Sequence, residues 1–280
     1  MTIRSARRTR RGHRALTAGG IGGAALLLLG ACSPAVDTQS GSDAHSAPAY
    51  TTSGQVSGTV TVLAAASLKE SFTALAAEFE KRHPGTEVTL GFGGSDNLAA
   101  SITSGAPADV FAAASPGTME TVVNADGTVG PPATFVRNQL EIATLPGNPD
   151  QITTLKDLGK SGLKVVLCDA TVPCGIAAQR SLEAGGVSVT PVSYERDVKS
   201  ALTKVELKEA DAALVYRTDV RAAGGKVTGV PFPESAQAVN NYPIARLKDA
   251  PNAEGGQAFI DLVRSAEGRK ILTDAGFLAP

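Results

Sequence analysis

Histidine, cysteine, basic charge and long apolar runs are all scarce in this chain, and each scarcity removes a class of function. Only three histidines occur in 280 residues. His13 and His45 lie outside any periodic segment and His83 stands beside Pro84, so a histidine-ligated metal site has too few ligands, and no direct metal-ion ligands are expected. A serine nucleophile would lack its usual base for the same reason. The tyrosines at 50, 194, 216 and 242 include no adjacent pair, which argues against a ferric-iron site.

Basic residues are few once the N-terminus is set aside. Arg4, Arg7, Arg8, Arg10, Arg11 and Arg14 precede an apolar run at residues 24–29, the layout of a secretory signal over residues 1–31. That run is too short to span a bilayer. Removing residues 1–31 takes away six arginines and no acid, leaving 20 basic against 27 acidic residues and a net charge of −7. Nucleic acid is thereby excluded as a partner, since backbone binding needs a basic footprint. Leu29-Gly30-Ala31-Cys32 resembles the lipobox of bacterial lipoproteins, which implies cleavage before Cys32, lipidation of that residue and an extracytoplasmic, membrane-anchored chain. Arg10-Arg11 leaves either Sec or twin-arginine export open.

Residues 32–58 are rich in Ser, Gly, Ala, Thr and Pro without apolar periodicity and read as a disordered tether. About 25 such residues reach roughly 25–30 Å.

Beyond the tether, apolar periods of two and of 3.6 alternate. Thr59, Val60, Thr61, Val62 and Leu63 form a strand, and Leu68, Phe72, Leu75 and Phe79 a helical face that stops at His83-Pro84-Gly85. Val88, Leu90 and Phe92 alternate as a second strand, Leu98 and Ile102 start a helix, residues 109–113 form a third strand, and Met119, Val122 and Val123 a short helix. The pattern repeats with a strand at 163–167, a helix at 174–182, a helical face at Val198, Leu202 and Val205, and a strand at 212–216. Phe259, Leu262, Val263, Ile271 and Leu272 mark C-terminal helices.

Such alternation predicts an α/β fold of two lobes, each a mainly parallel sheet flanked by helices. Segments 139–145 and 241–247 would join them as a two-stranded hinge. The expected boundaries are 59–145 with 235–280 for the first lobe and 146–234 for the second.

Ser67, Ser95, Cys174 and Val198 each fall where a strand or loop hands over to the first turn of a helix, and no lysine or arginine adjoins Ser67, Ser95 or Cys174. Helix N-termini offer unpaired N–H groups and partial positive charge, so several converging on one cleft make an anion site. Neutral donors alone suit a small, fully deprotonated anion and a binding protein rather than an enzyme. Cys168 and Cys174, at a strand end and a helix start, either close a disulfide across the turn in an oxidising compartment or remain as two buried thiols.

Six stretches in one order carry a family likeness. They are Val60-Thr61-Val62-Leu63-Ala64-Ala65-Ala66-Ser67-Leu68, Phe92-Gly93-Gly94-Ser95-Asp96-Asn97-Leu98-Ala99, Gly105-Ala106-Pro107-Ala108-Asp109-Val110-Phe111, Val172-Pro173-Cys174-Gly175, Leu214-Val215-Tyr216 and Tyr242-Pro243-Ile244-Ala245. From about residue 59 onward the chain resembles the molybdate-binding proteins of ABC importers, within the type II periplasmic solute-binding fold. The resemblance implies a tetrahedral oxyanion held by the hydroxyls of Ser67 and Ser95, the backbone N–H groups of Cys174 and Val198, and the phenol of Tyr216. It implies molybdate, and tungstate too, as ligand, no cofactor, a monomer, and an integral-membrane permease with its ATPase as partners. Sulfate and phosphate are the competing ligands. Asp96, if it faced the cleft, would favour phosphate, but it is expected to cap a helix beginning near Asn97. A lipoprotein serine hydrolase is the alternative of another class, and neither serine sits in the G-x-S-x-G that it would use.

Overall fold

The structure, a computed structural model, describes residues 56–280. The signal segment, Cys32 and nearly all of the tether lie outside them. No described helix is long and apolar enough to cross a membrane.

The chain begins with β1 (Gly58–Ala65), whose Val60, Val62 and Ala64 alternate into the core. A 3-10 turn at Ala66–Leu68 leads into α1 (Lys69–Arg82), which buries Phe72, Leu75 and Phe79 at helical spacing. There follow β2 (Thr86–Gly93), α2 (Ser95–Thr103), β3 (Val110–Ala112), α3 (Pro116–Asn124) and β4 (Ala133–Asn138). The next segment holds β5 (Leu140–Thr144), β6 (Val165–Cys168), α4 (Pro173–Gly185), β7 (Ser193–Glu195) and α5 (Val198–Glu206). It continues through β8 (Ala212–Tyr216), α6 (Arg217–Ala222), β9 (Thr228–Val230) and a 3-10 helix at Pro233–Ala238. The chain returns as β10 (Asn240–Arg246) and ends with α7 (Ala253–Arg264) and α8 (Ala266–Asp274).

Two five-stranded sheets result, in the orders β2-β1-β3-β10-β4 and β7-β6-β8-β5-β9. In each, three neighbouring strands pair in parallel, and one strand, β10 or β5, is inserted antiparallel beside them. The sheets are therefore mixed, although four of five strands point the same way. Both inserted strands lie just beyond the places where the chain passes between lobes, so each enters its sheet from the opposite end to its neighbours.

That insertion corrects the expected hinge. Segments 139–145 and 241–247 do not pair with one another: β5 joins β8 and β9 in the second sheet, and β10 joins β3 and β4 in the first. The crossings are instead the short links around Gln139 and Val239. Residues 140–145 and 235–238 accordingly sit with lobe 2, the latter because the 3-10 helix packs on α4. Both misplacements have one cause, since an apolar strand does not reveal which of two sheets it enters.

Lobe 1 is closed beneath by α1, α7 and α8. Phe259 of α7 is fully buried and meets Phe72 at 5.8 Å and Phe79 at 5.5 Å, both edge-on. Truncating Phe259→Ala should cost roughly 3–5 kcal/mol. Urea unfolding would show this as a lower midpoint at unchanged slope.

Candidate functional site

Ligands of such sheets lie beyond the carboxyl ends of the parallel strands, and here the two lobes turn those ends toward each other. Ala65 and Gly93, the last residues of β1 and β2, are register partners. Ser67 and Ser95, each two residues further on, therefore leave the sheet side by side. In lobe 2, the last residues of β6 and β7, Cys168 and Glu195, are likewise paired. The chain returns from them as α4, with Cys174 at its second position, and α5, which begins at Val198. Tyr216 is the last residue of β8.

Ser67, Ser95, Cys174, Val198 and Tyr216 are all buried and line one cavity of about 20 Å³. That is more than an order of magnitude below the volume taken by drug-sized ligands, and suits an ion of a few atoms. The rest of the wall is small or apolar except for Asp197, and it includes no lysine or arginine. Asp197 spends its carboxylate on capping α5, accepting from the Ser200 N–H at 2.9 Å and the Ser200 hydroxyl at 3.0 Å.

Of the helices that start at the cavity, α5 is capped by Asp197, whereas α2 and α4 have no side-chain cap. At α3, α7 and α8 a side chain of Ser115, Asn252 or Ser265 accepts an N–H of the first turn. At α2 and α4, whose starts line the cavity, no side chain does. Their leading N–H groups have no partner within the helix, and Gly94, Ser95, Pro173 and Cys174 at these starts line the cavity, where an anion would take such groups up.

The hydroxyls also point the right way chemically. Ser95 Oγ accepts from the Ala114 N–H at 3.0 Å, which leaves its own proton for another acceptor. Ser67 Oγ lies 2.9 Å from the Tyr242 hydroxyl. The Tyr216 hydroxyl is buried with no partner within hydrogen-bond distance, its polar neighbour being Tyr242, a costly state unless a ligand satisfies it. Burial, then its neighbours Tyr242 and Asp219, raise its pKa well above the ordinary phenol value. The group is therefore a donor at neutral pH.

Two close approaches hold this geometry. A Cβ on Gly94 would come within 2.5 Å of the Arg196 carbonyl in the opposite lobe, so only glycine lets the lobes meet there. A Cβ on Gly175 would meet the Asp169 carbonyl at 1.8 Å. Beside that contact, Cys168 and Cys174 form a disulfide with Cα atoms 5.8 Å apart, tying the end of β6 to the start of α4 and stiffening the loop that presents the Cys174 N–H.

Lys199 adjoins Val198 in the chain but turns from the cavity. Its ammonium lies 2.9 Å from Glu70 of lobe 1 and 3.1 Å from Asp219 of lobe 2, bridging the lobes. Burial alone would lower its pKa, but the two carboxylates outweigh that and raise it. Asp219 is wholly buried and also accepts the Tyr216 N–H at 3.1 Å, fixing the backbone behind the phenol.

Asp96 does not line the cavity. Its expected capping role is corrected, because α2 begins at Ser95 with Gly94 as its cap residue, leaving Asp96 inside the first turn. Tyr242, Asn138 and Asp219 were not singled out by sequence. Tyr242 sits in a quoted motif without a role, and Asn138 and Asp219 carried no local signal beyond a polar side chain near an apolar strand.

The one histidine among the described residues, His83, ends α1 with its ring 4.5 Å from that of Phe79. It is no wall residue of the cavity, so neither serine has a histidine base there. Among the described residues no group of three or more His, Cys, Asp or Glu is gathered for a metal ion.

Burial raises the Asp219 carboxyl from its ordinary 3.8 to about 6, against the opposing pull of Lys199 and the Tyr216 N–H. The folded state keeps this proton where the unfolded chain releases it. Its contribution to stability is thus complete below 3.8 and is lost as pH rises to about 6. Asp219→Asn should remove that part of the pH dependence, seen by comparing unfolding free energies of the two proteins across this window.

Residues 60–278 match the family of bacterial extracellular solute-binding proteins. The molybdate-binding protein ModA of Mycobacterium tuberculosis is 42% identical over 235 residues, 84% of this chain and 89% of that one. The periplasmic molybdate-binding protein of Azotobacter vinelandii superposes with a TM-score of 0.70 at 20% identity, covering 79% of this chain and 99% of that one. The sulfate-binding protein SubI of Mycobacterium tuberculosis reaches 0.69 at 17%, covering 79% and 86%. Those two values barely differ, so the fold by itself does not choose an anion. From the family match and the identity to ModA together, the chain belongs to the bacterial extracellular solute-binding protein family.

Proposed function

We propose that this protein captures molybdate, and tungstate with it, outside the cytoplasm and delivers it to an ABC import permease and its ATPase. The single observation that carries the reading is the convergence of neutral donors from two lobes on one small cavity, with the Tyr216 hydroxyl buried and unpartnered. Ser67 and Ser95 give hydroxyls, Cys174 and Val198 backbone N–H groups, and Tyr216 its phenol. Molybdate has four acceptor oxygens and no proton at neutral pH, so a wall of donors satisfies it throughout. Low local dielectric strengthens each of those bonds. The ModA relative's name and its 42% identity support this ligand over sulfate.

The protein acts as a monomer, binds without bond chemistry and needs no cofactor. Cys32 carries the lipid that holds it at the membrane, a role supported by the Leu29-Gly30-Ala31-Cys32 sequence. Closure of the lobes around the anion makes the surface that the permease reads.

Thermal unfolding with molybdate, tungstate, sulfate and phosphate tests the assignment, because a ligand bound only by the native state raises the midpoint. Molybdate and tungstate should each stabilise by about 2.7 kcal/mol at a concentration 100 times the dissociation constant. A rise with phosphate alone overturns it. Tyr216→Phe should leave the ligand-free midpoint unchanged or slightly higher, since it deletes an unpartnered group. It should weaken molybdate binding about 10- to 100-fold, read by calorimetry.

A further inference from the structure

The donor character of Ser67 is imposed from outside the cavity. Asn138 is the last residue of β4, at the first crossing between lobes, and is fully buried. Its Oδ1 accepts the Gln139 N–H at 3.0 Å. That contact settles the amide orientation, because the opposite one would set an NH₂ against an N–H. The Nδ2 group then donates to Thr218 of lobe 2 at 2.9 Å and to the Tyr242 hydroxyl of lobe 1 at 3.3 Å.

Tyr242 is fully buried and has two partners within hydrogen-bond distance, Asn138 Nδ2 and Ser67 Oγ, with the Tyr216 hydroxyl a more distant neighbour. The first can only donate, and the Tyr216 hydroxyl stands beyond hydrogen-bond distance, so the Tyr242 proton goes to the acceptor within reach, Ser67 Oγ. With its oxygen accepting from Tyr242, Ser67 turns its own proton to the cavity. A parallel arrangement serves Ser95. Asn240, the register partner of Asn138, donates to the Ala114 carbonyl at 2.8 Å, and the N–H of Ala114 donates to Ser95 Oγ.

We propose that Asn138, acting through Tyr242, is a positioning residue that sets the ligand specificity of the site by holding Ser67 as an obligate donor. A fully deprotonated oxyanion finds a partner for every oxygen. Hydrogen phosphate brings an O–H to which Ser67 and Ser95, both held as donors, offer no acceptor, and an unpaired buried donor is penalised heavily. Sulfate, which carries no proton, is not rejected by this device, so cavity size must deal with it. The proposal rests on the oxyanion reading above and deepens it.

Asn138→Asp should reverse the relay. A carboxylate there accepts from the Gln139 N–H, the Thr218 hydroxyl and the Tyr242 hydroxyl alike, so it has partners for folding. Tyr242 then accepts from Ser67, and Ser67 presents lone pairs to the cavity. Tyr242→Phe removes the relay without adding charge.

The experiment measures, by titration calorimetry on the full chain, affinities for molybdate and inorganic phosphate near pH 8, where both are dianions. A charge added at position 138 repels both equally, so the ratio of affinities isolates hydrogen-bond direction. The molybdate-to-phosphate ratio should fall about 10-fold or more in Asn138→Asp, and by a smaller factor in Tyr242→Phe. Equal loss of both anions in both variants overturns the relay while leaving the oxyanion reading intact. If Asn138→Asp does not fold, an unchanged ratio in Tyr242→Phe overturns it alone. Absence of molybdate binding by the unsubstituted chain overturns both.

Discussion

A dianion without a proton can be buried beside neutral groups only if each of them donates, and this constraint organises the structure around the cavity. No lysine or arginine stands in the wall to supply bulk attraction, and a chain with net charge −1, or −7 without its first 31 residues, supplies none from afar. Attraction must therefore come from dipoles at close range: helix N-termini, those of α2 and α4 without side-chain caps, and the hydroxyls of Ser67, Ser95 and Tyr216. Charged side chains close by are diverted elsewhere. Asp197 caps its helix, and Lys199 is spent on Glu70 and Asp219.

The fold meets the constraint by doubling one arrangement. Each sheet has parallel strands ending at the cleft and one antiparallel strand inserted at a crossing. The strand ends carry short turns into helices, so the donors arrive as a set rather than singly. Buried asparagines at the two crossings, Asn138 and Asn240, connect with the serine hydroxyls through Tyr242 and Ala114. The crossings between lobes thus also carry the buried polar groups that reach the site. Lys199 adds a second link, since it joins Glu70 of one lobe to the buried Asp219 beneath the Tyr216 backbone of the other.

Similarity at the level of fold does not carry the ligand. A molybdate-binding and a sulfate-binding protein superpose on this chain almost equally well, as expected where function lies in a site placed on a shared scaffold. What favours molybdate over sulfate is the 42% identity to a ModA protein, not the fold.

Much of this was legible in the sequence, for identifiable reasons. Alternating periods of two and 3.6 announced strands and helices, because side-chain direction follows backbone geometry locally. Serine, glycine and proline at strand-to-helix junctions marked Ser67, Ser95 and Cys174, because helix starts have local requirements. By contrast, the membership of β5 and β10 depends on which sheet edge lies near each crossing, which no window of residues contains. The same holds for Asn138, Tyr242 and Asp219. Their partners are remote in sequence, as with the 175 positions between Ser67 and Tyr242. Sequence by itself determined the elements and the absence of a basic residue beside Ser67, Ser95 and Cys174. Only tertiary structure decided which partners each hydroxyl meets, because those partners come from remote parts of the chain and not from its own neighbours in sequence.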